Sequence, residues 1–454
     1  MTMPPSDSKA AVKRTAMPAL RTAVLVAAGP LLRDEPNNPA PHMAGQPIGP
    51  LTRVGGLSLF TRAVLTLQRA GITRIMVLAD RHEEALRRSL ADDDRITTPV
   101  HWIPIREFPP EDARTWESLA GELEGSCLIA GVQAIFSRAL LEQLRCEVEH
   151  GHAVIAVKQA TKTAAGEPGL ADMVVLPASL LGVAAAGLPS SRGGPIRALV
   201  TQASAKGTLR TVQASSDRSA WHRPVIHASD VKAAERVLFQ SLRSDLDGYV
   251  DTYFNRKLSR ALTRGFLALR WSPNAITILS ILIGMAAALS FSRGSYLTGV
   301  IGGLLFQLSA IIDCCDGEVA RLTFKESRVG RQLDLLGDNA VHLAIFAGIA
   351  WAGYTGTPSF VPLGLGVAAM AGTLLSLWVV TRFQAGKVGD ARRDTLQAHR
   401  SEFILKHVTN RDFSVVVLVF ALIDRLGVFL WLAAIGSNIF WVYAAWPHHS
   451  FRKR

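Results

Sequence analysis

Short apolar runs and helical segments alternate in the first half of the chain, whereas long apolar runs fill much of the second half. Apolar runs of six or seven residues, such as TAVLVAA over Thr22–Ala28 and RIMVLA over Arg74–Ala79, fit buried parallel strands. Helical periodicity over Leu59–Ala70 lies between these two runs. Further strands are predicted over Ser126–Ala130 and Ala153–Val157, and further helices over Glu83–Leu90 and Ser137–Leu144. The alternation predicts a doubly wound α/β domain over residues 20–230.

Residues 231–270 combine basic and apolar positions at helical spacing, and the basic residues Arg260 and Arg264 alternate with the apolar residues Leu262 and Phe266. This pattern is typical of a juxtamembrane helix that lies on the membrane surface and turns its basic side chains toward lipid headgroups. A soluble helix that packs on its own domain is the alternative interpretation.

Six apolar segments follow Ser272-Pro273, which indicates a helix start with Ser272 as N-cap. They lie at about residues 275–292, 296–315, 335–353, 359–381, 413–431 and 433–446. Several approach the roughly 20 residues that a spanning helix needs. The sequence therefore predicts an all-α transmembrane domain of six helices over residues 271–446, with only a weak break between the last two.

Basic residues are concentrated in alternate loops of this domain. Arg321, Lys325, Arg328 and Arg331 follow the second segment, and another group extends from Arg382 to Arg411. The intervening loops carry little charge, and the tail over residues 447–454 is basic again. By the positive-inside rule, we expect an integral protein of the cytoplasmic membrane, with the N-terminal domain on the cytosolic side.

The formal net charge of +12 does not by itself indicate a nucleic-acid partner, because many Lys and Arg residues flank apolar runs. The sequence thus predicts a lipid bilayer and no nucleic acid as partner. Residues 1–19 are polar and basic, which indicates a disordered leader without the apolar core of a signal peptide. The four cysteines lack metal-binding spacing and are expected to be reduced thiols.

Four aspartates lie in or beside the second and third apolar segments. Asp313 and Asp316 share a helix face with Gly317 and Ala320, and a second row contains Gly330, Asp334 and Asp338. Ionised side chains are costly at membrane depth, and like charges about 4 Å apart repel by roughly 4 kcal/mol at an effective dielectric of about 20. We therefore expect cations between these carboxylates.

Oxygen ligands of this kind suit hard divalent cations such as Mg²⁺, Mn²⁺ or Ca²⁺. A pair of such ions, most simply Mg²⁺ or Mn²⁺, would bind a diphosphate, while a carboxylate that is not fully engaged takes a proton from an attacking hydroxyl. Gly317, Ala320 and Gly330 leave room for a flat ligand near the backbone, and Arg321 is placed to contact phosphate. Two alternatives are a static network of the acids with nearby arginines and an ion pathway.

The spacing D-x2-D-G-x2-A-R-x8-G-x3-D-x3-D resembles the signature of the CDP-alcohol phosphotransferases, also called the CDP-alcohol phosphatidyltransferase family, at all eight fixed positions. The resemblance covers about residues 245–446 and implies six spanning helices and a homodimer. It implies attack by an acceptor hydroxyl on the phosphate of a CDP-linked donor, with release of CMP.

The same resemblance implies a role for each signature residue. Asp313, Asp316 and Asp334 would be metal ligands, and Asp338 a metal-associated residue and the catalytic general base. The CDP moiety would be bounded by Gly317, Ala320, Arg321 and Gly330.

Three further residues are accessory candidates. His342 continues the aspartate row and would be either a proton shuttle or a packing residue. Arg411 and Asp412, which follow Asn410, would either bind the acceptor or mark the start of a helix.

The N-terminal domain resembles the sugar-phosphate nucleotidyltransferases in elements such as Ala27-Ala28-Gly29 and Val54-Gly55-Gly56. It departs from that family where Leu31 replaces a loop glycine, Gly49 a lysine and Val132 a metal-binding aspartate, so we expect a catalytically inactive or altered domain. Arg33 of the loop pattern remains.

Together the two domains resemble the bifunctional inositol-1-phosphate cytidylyltransferase/di-inositol-phosphate-phosphate synthases. This resemblance favours a polyol or polyol-phosphate acceptor and an inositol-phosphate-type substrate. The alternatives are a phospholipid synthase that uses CDP-diacylglycerol, a metal-ion transporter, and a scaffold without activity.

Overall fold

A computed structural model describes residues 20–27, 48–79, 83–91, 93–104, 112–162, 168–187, 194–215, 219–242, 256–357, 359–387 and 413–445. The chain divides into two compact units, Met1–Ser241 and Leu242–Arg454. Each unit has its own buried apolar clusters.

The first unit is built from strands and helices in alternation. Its strands are β1 (Thr22–Val26), β2 (Arg53–Val54), β3 (Leu57–Ser58), β4 (Arg74–Ala79), β5 (Val100–Pro104), β6 (Ser126–Gly131), β7 (Ala134–Phe136), β8 (Val154–Lys162), β9 (Pro168–Pro177), β10 (Leu209–Gln213) and β11 (His222–Pro224). Its helices are α1 (Leu59–Arg69), α2 (Glu83–Ala91), α3 (Ala113–Glu122), α4 (Arg138–Glu149), α5 (Ala178–Gly187), α6 (Gly194–Ala205) and α7 (Ala228–Ser241).

Seven strands form the main sheet in the order β10-β8-β9-β6-β1-β4-β5. Ala23 and Leu25 of β1 pack with Phe60 of α1 on one face, whereas Val24 packs with Trp116 of α3 on the other. Helices therefore cover both faces, and the predicted α/β domain is confirmed. The sheet is mixed, because β9 runs antiparallel to both β6 and β8, so the doubly wound detail of the prediction is not confirmed.

The second unit consists of helices. They are α8 (Arg256–Ala268), α9 (Pro273–Phe291), α10 (Tyr296–Leu322), α11 (Arg328–Gly356), α12 (Val361–Lys387), α13 (Phe413–Leu422) and α14 (Leu426–Ala445). Within the described residues, five helices are long and apolar enough to cross a membrane, and α13 is a shorter apolar helix. These helices support an integral membrane protein, but the predicted count of six spans is not confirmed.

The break between the last two helices lies earlier than predicted. The sequence suggested apolar segments over 413–431 and 433–446, but α13 ends at Leu422 and α14 begins at Leu426. Asp424 has a φ of 56°, in the left-handed region that a right-handed helix cannot continue through. The predicted boundary was wrong because two charged residues, Asp424 and Arg425, were included in an apolar segment.

The predicted surface segment over 231–270 is divided between the two units. Helix α7 belongs to the first unit, where Ala234, Leu238 and Phe239 are buried. Helix α8 belongs to the second unit and packs against α10. The division between the units therefore follows Ser241 rather than residue 230, because apolar side chains of α7 are part of the first unit's interior.

Glycines bring α9 and α11 into close contact. A Cβ added at Gly337 would lie 2.3 Å from Ile281 Cδ1, and one at Gly348 would lie 2.5 Å from the carbonyl oxygen of Ala288. Small residues at such positions let helix backbones approach each other within a membrane. This contact fixes α9 beside α11, and both helices contribute side chains to the candidate site described below.

Candidate active site

Three of the predicted aspartates meet where α10 approaches its end and α11 begins. Each of Asp313, Asp316 and Asp334 offers a carboxylate oxygen, and these oxygens all lie within 4.8 Å of one another. Asp313 and Asp316 are 4% and 6% exposed. Buried carboxylates this close together can all be ionised only if positive charge compensates them.

A tight reversal between α10 and α11 brings the carboxylates together. Phe324 in the connecting turn has a φ of 58°. Ser327 caps α11, since its hydroxyl accepts a hydrogen bond of 2.9 Å from the backbone N–H of Gly330. The first turns of α11 are thereby set beside the last turns of α10.

Thr277 on α9 is a site residue that sequence reasoning missed. Its hydroxyl donates a hydrogen bond to Asp316 Oδ2, and Thr277 is 3% exposed. This bond orients one carboxylate of the cluster. Thr277 lies one turn after the predicted helix start at Ser272-Pro273, a position that by itself does not distinguish a site residue.

A cavity of about 210 Å³ adjoins the aspartates. Its lining includes the four residues predicted to bound CDP, which are Gly317, Ala320, Arg321 and Gly330. It also includes Asn274, Lys325 and Arg331, which were not predicted as ligand contacts. A Cβ added at Gly330 would lie 3.0 Å from both Asn274 Oδ1 and Ser327 Oγ, so a side chain there would crowd the cavity wall.

Asp338, the fourth predicted aspartate, lies one turn beyond Asp334 on α11 and is exposed. Among the described residues it does not belong to the group of three carboxylates with mutually close oxygens. Its assignments as metal-associated residue and catalytic base therefore stay predictions.

The accessory candidates have different outcomes. The ring of His342 packs edge-on against Phe306 and Phe413, with centroid distances of 5.8 and 5.1 Å. These contacts are the ones that a packing role predicts. Arg411 and Asp412 lie outside the described residues.

The donor set fits a hard divalent cation. Three carboxylates supply only oxygen atoms, as Mg²⁺ and Mn²⁺ prefer, and two of them are buried. Arg321, Lys325 and Arg331 in the cavity lining add positive charge suited to phosphate. The arrangement is thus chemically suited to bind a phosphorylated ligand beside a metal centre.

In the first unit, part of the nucleotidyltransferase-like pattern can be located. Buried Arg62 donates hydrogen bonds to the carbonyl oxygens of Val54 and Gly55 at 2.9 and 3.0 Å, and burial lowers the pKa of Arg62 to about 10. These bonds hold the turn at Gly55 and Gly56, whose φ values are 58° and 87°. Gly29, Leu31 and Arg33 lie outside the described residues.

Asp172 is a further carboxylate that sequence reasoning missed. It is 3% exposed on β9, and its Cβ would lie 3.1 Å from a Cβ added at Gly131. The strand pairing between β6 and β9 thus brings a carboxylate beside Gly131-Val132, the element that lacks the expected aspartate. The predicted inactivity of this domain remains a prediction.

Comparisons with known proteins concern both units. Residues 270–439 match the CDP-alcohol phosphatidyltransferase family. A relative from Aquifex aeolicus named "Bifunctional IPC transferase and DIPP synthase" is 22% identical over 418 residues, which cover 87% of this chain and 92% of the relative. A relative of the same name from Rubrobacter xylanophilus is 26% identical over 362 residues, which cover 74% of this chain and 79% of the relative.

Several solved structures are similar to about half of the chain. One of them, the inositol-1-phosphate CTP transferase from T. maritima, matches 49% of this chain and 97% of its own length, with 12% identity and a TM-score of 0.36.

Proposed function

We propose, from the match of residues 270–439 to the CDP-alcohol phosphatidyltransferase family, that the protein transfers a substituted phosphate group from a CDP-linked donor to an acceptor hydroxyl. The proposed reaction is metal-dependent. The observation that carries this proposal is the cluster of Asp313, Asp316 and Asp334 beside a cavity lined by the signature residues.

The reaction forms a bond between the acceptor oxygen and the phosphorus that carries the donor's alcohol group. The bond between that phosphorus and the bridging oxygen of the diphosphate breaks, and CMP leaves with the bridging oxygen. The acceptor proton passes to the carboxylate of Asp338, which is exposed beside the cluster. Arg321 contacts phosphate oxygens, and Gly317 and Gly330 admit the nucleotide close to the helix backbones.

Asp313, Asp316 and Asp334 would hold the divalent cations, with Asp338 as an associated carboxylate. When bound, such cations offset negative charge on the diphosphate and on the departing CMP. Thr277 keeps Asp316 oriented toward the cluster, which reduces the reorganisation needed during the reaction.

An inositol-phosphate-type substrate is part of this proposal. Support comes from similarity that extends over both units to relatives named bifunctional IPC transferase and DIPP synthase. Lys325 and Arg331 in the cavity lining supply further positive charge for a phosphorylated acceptor. We also propose that the site faces the cytosol and that the protein is a homodimer.

The test supplies the purified full chain with a panel of CDP-linked donors and polyol-phosphate acceptors. Mass spectrometry is expected to detect CMP and a phosphodiester product that depend on Mg²⁺ or Mn²⁺. If no donor yields metal-dependent CMP, the proposed reaction is wrong. Metal flux into vesicles without nucleotide would instead support the transporter alternative.

A phospholipid synthase that uses CDP-diacylglycerol is the second candidate, and the family description as phosphatidyltransferases favours it. Extraction with organic solvent separates the two candidates. A product that enters the organic phase identifies the lipid synthase, whereas a product that stays in water identifies the polyol-phosphate reaction.

Asp338→Asn is expected to reduce turnover by about a hundredfold to ten-thousandfold, the usual range for loss of a general base. Donor binding should change little, because Asp338 lies outside the three-carboxylate cluster. Single-turnover CMP release measures the first quantity, and equilibrium titration with the CDP-linked donor measures the second. Normal turnover in this variant would rule out Asp338 as the base.

A further inference from the structure

Helix α10 carries a further buried carboxylate, that of Glu318, which does not belong to the aspartate cluster. Glu318 is 1% exposed and accepts hydrogen bonds from two hydroxyl groups of α8, Ser259 at 3.2 Å and Thr263 at 2.8 Å. Ser259 and Thr263 are themselves fully buried. A buried carboxylate with hydroxyl donors from another helix makes a directional connection that apolar packing alone does not provide.

Glu318 faces away from the candidate site. Successive residues of a helix are rotated by about 100°, so Glu318 projects roughly 200° around α10 from Asp316. The same side of α10 carries Cys315, whose thiol donates to the backbone carbonyl oxygen of Ser259 at 3.5 Å. Helix α8 thus contacts α10 on the side opposite the aspartates.

Apolar contacts surround this connection. Leu262 and Phe266 of α8 pack against a cluster that contains Ile312 and Val319 of α10. Apolar packing tolerates small rotations of one helix against another, whereas two hydrogen bonds to a single carboxylate select one orientation. The two hydrogen bonds of Glu318 therefore restrict the rotation of α10 relative to α8.

That rotation matters for the aspartates. With side-chain atoms roughly 5 Å from the helix axis, a turn of ~20° moves a carboxylate oxygen by about 2 Å. Such a shift is large beside the 4.8 Å within which the oxygens of Asp313, Asp316 and Asp334 lie. Metal sites lose affinity when their ligands are displaced by about this distance.

We propose that Glu318 is a positioning residue: its hydrogen bonds to Ser259 and Thr263 fix α8 to the back of α10 and hold Asp313 and Asp316 toward Asp334. The inference deepens the proposed function, and it rests on that function for the identity of the ligand that the aspartates serve.

The test removes the two hydroxyl groups that donate hydrogen bonds to Glu318 and then measures the affinity of the protein for a metal ion. Ser259→Ala with Thr263→Val deletes both hydroxyls while keeping the side-chain volumes nearly constant. The Kd for Mn²⁺, measured by electron paramagnetic resonance on the full chain in detergent, is expected to rise roughly tenfold, as is the KM for the CDP-linked donor, with a smaller change in kcat.

Glu318→Gln is the rescue variant. A glutamine amide can keep hydrogen bonds with both hydroxyls, so its Mn²⁺ affinity is expected to stay within about twofold of the unchanged protein. Glu318→Leu, which keeps neither bond, should behave like the double variant. If Glu318→Gln weakens Mn²⁺ binding as much as Glu318→Leu does, the hydrogen bonds are not what positions α10.

Ser414→Ala is the matched control. Ser414 is buried and donates to Gln307 Oε1 at 2.8 Å, so it also connects α10 to a neighbouring helix by a hydrogen bond. The control should lower thermal stability without changing the Mn²⁺ Kd. Should the double variant lose stability like the control yet bind Mn²⁺ normally, Glu318 only stabilises the bundle and the proposal is overturned.

The two proposals fail in different ways. Mn²⁺ binding with the expected order of affinities, but no CMP release from any donor, would overturn the proposed function and support the positioning role. CMP release with equal Mn²⁺ affinity in all variants would support the proposed function and overturn the positioning role of Glu318. Absence of Mn²⁺ binding by the unchanged protein would overturn both.

Discussion

Replacing Asp316 with asparagine is expected to lower CMP release by about a thousandfold or more, equivalent to ~4 kcal/mol of transition-state stabilisation. Asparagine keeps the shape of the side chain and an oxygen that accepts from Thr277, but it removes one of three clustered negative charges. The Mn²⁺ affinity should fall together with turnover. Initial rates and Mn²⁺ titration by electron paramagnetic resonance measure the two quantities on the same preparation.

Asp424→Asn is the control for this experiment. Asp424 lies in the turn between α13 and α14 and does not belong to the carboxylate cluster. Its replacement removes the same charge from the same unit and should leave CMP release and Mn²⁺ binding unchanged. Near-normal turnover of Asp316→Asn with unaltered Mn²⁺ affinity would contradict the assignment of the cluster as the metal centre.

Gly348→Ala is expected to have the second largest effect, on stability. The added methyl group would lie 2.5 Å from the carbonyl oxygen of Ala288 and 3.4 Å from its carbon, so backbone rather than a flexible side chain must move. Overpacking of this kind costs about 1–3 kcal/mol. The thermal midpoint of the detergent-solubilised protein should therefore fall by roughly 2–10 °C.

Gly364→Ala provides the comparison, because nothing lies within 4 Å of a Cβ added there. It makes the same change in another helix of the bundle and should leave the midpoint unchanged or slightly higher, since alanine favours helix. Helix α9 carries Thr277, so Gly348→Ala should also weaken Mn²⁺ binding, whereas Gly364→Ala should not. Equal midpoints for the two variants would show that α9 and α11 are not held in close contact.

The position of the carboxylate cluster was predictable because its geometry is largely local. Asp313 and Asp316 are three residues apart on one helix, and helical spacing alone places them together. Their approach to Asp334 needed one further assumption, a short reversal between two adjacent helices, and the Ser327 cap provides it. Thr277 was not found because a single hydroxyl at a helix start has no distinctive spacing.

Other features depend on contacts that a sequence pattern does not record. Strand β9 was not predicted because it pairs antiparallel with β6 and β8, whereas an alternation of strands and helices along a chain indicates parallel pairs. Asp424 interrupts the last apolar region through a backbone conformation, not through a long polar stretch. Helix α7 resembles a surface segment in sequence, but its apolar face is buried in the first unit.

The length of α10 has a consequence for how substrates arrive. Asp316 lies 20 residues after Tyr296, which at 1.5 Å per residue is about 30 Å along the axis and matches the thickness of the hydrocarbon layer. If α10 enters the hydrocarbon layer at Tyr296, it leaves that layer near Asp316, and we expect the cluster at the border between acyl chains and water. Under the proposed function, a nucleotide from solution would reach the cluster without crossing the hydrocarbon layer, and a lipid substrate would keep its acyl chains in the bilayer while its headgroup reacts.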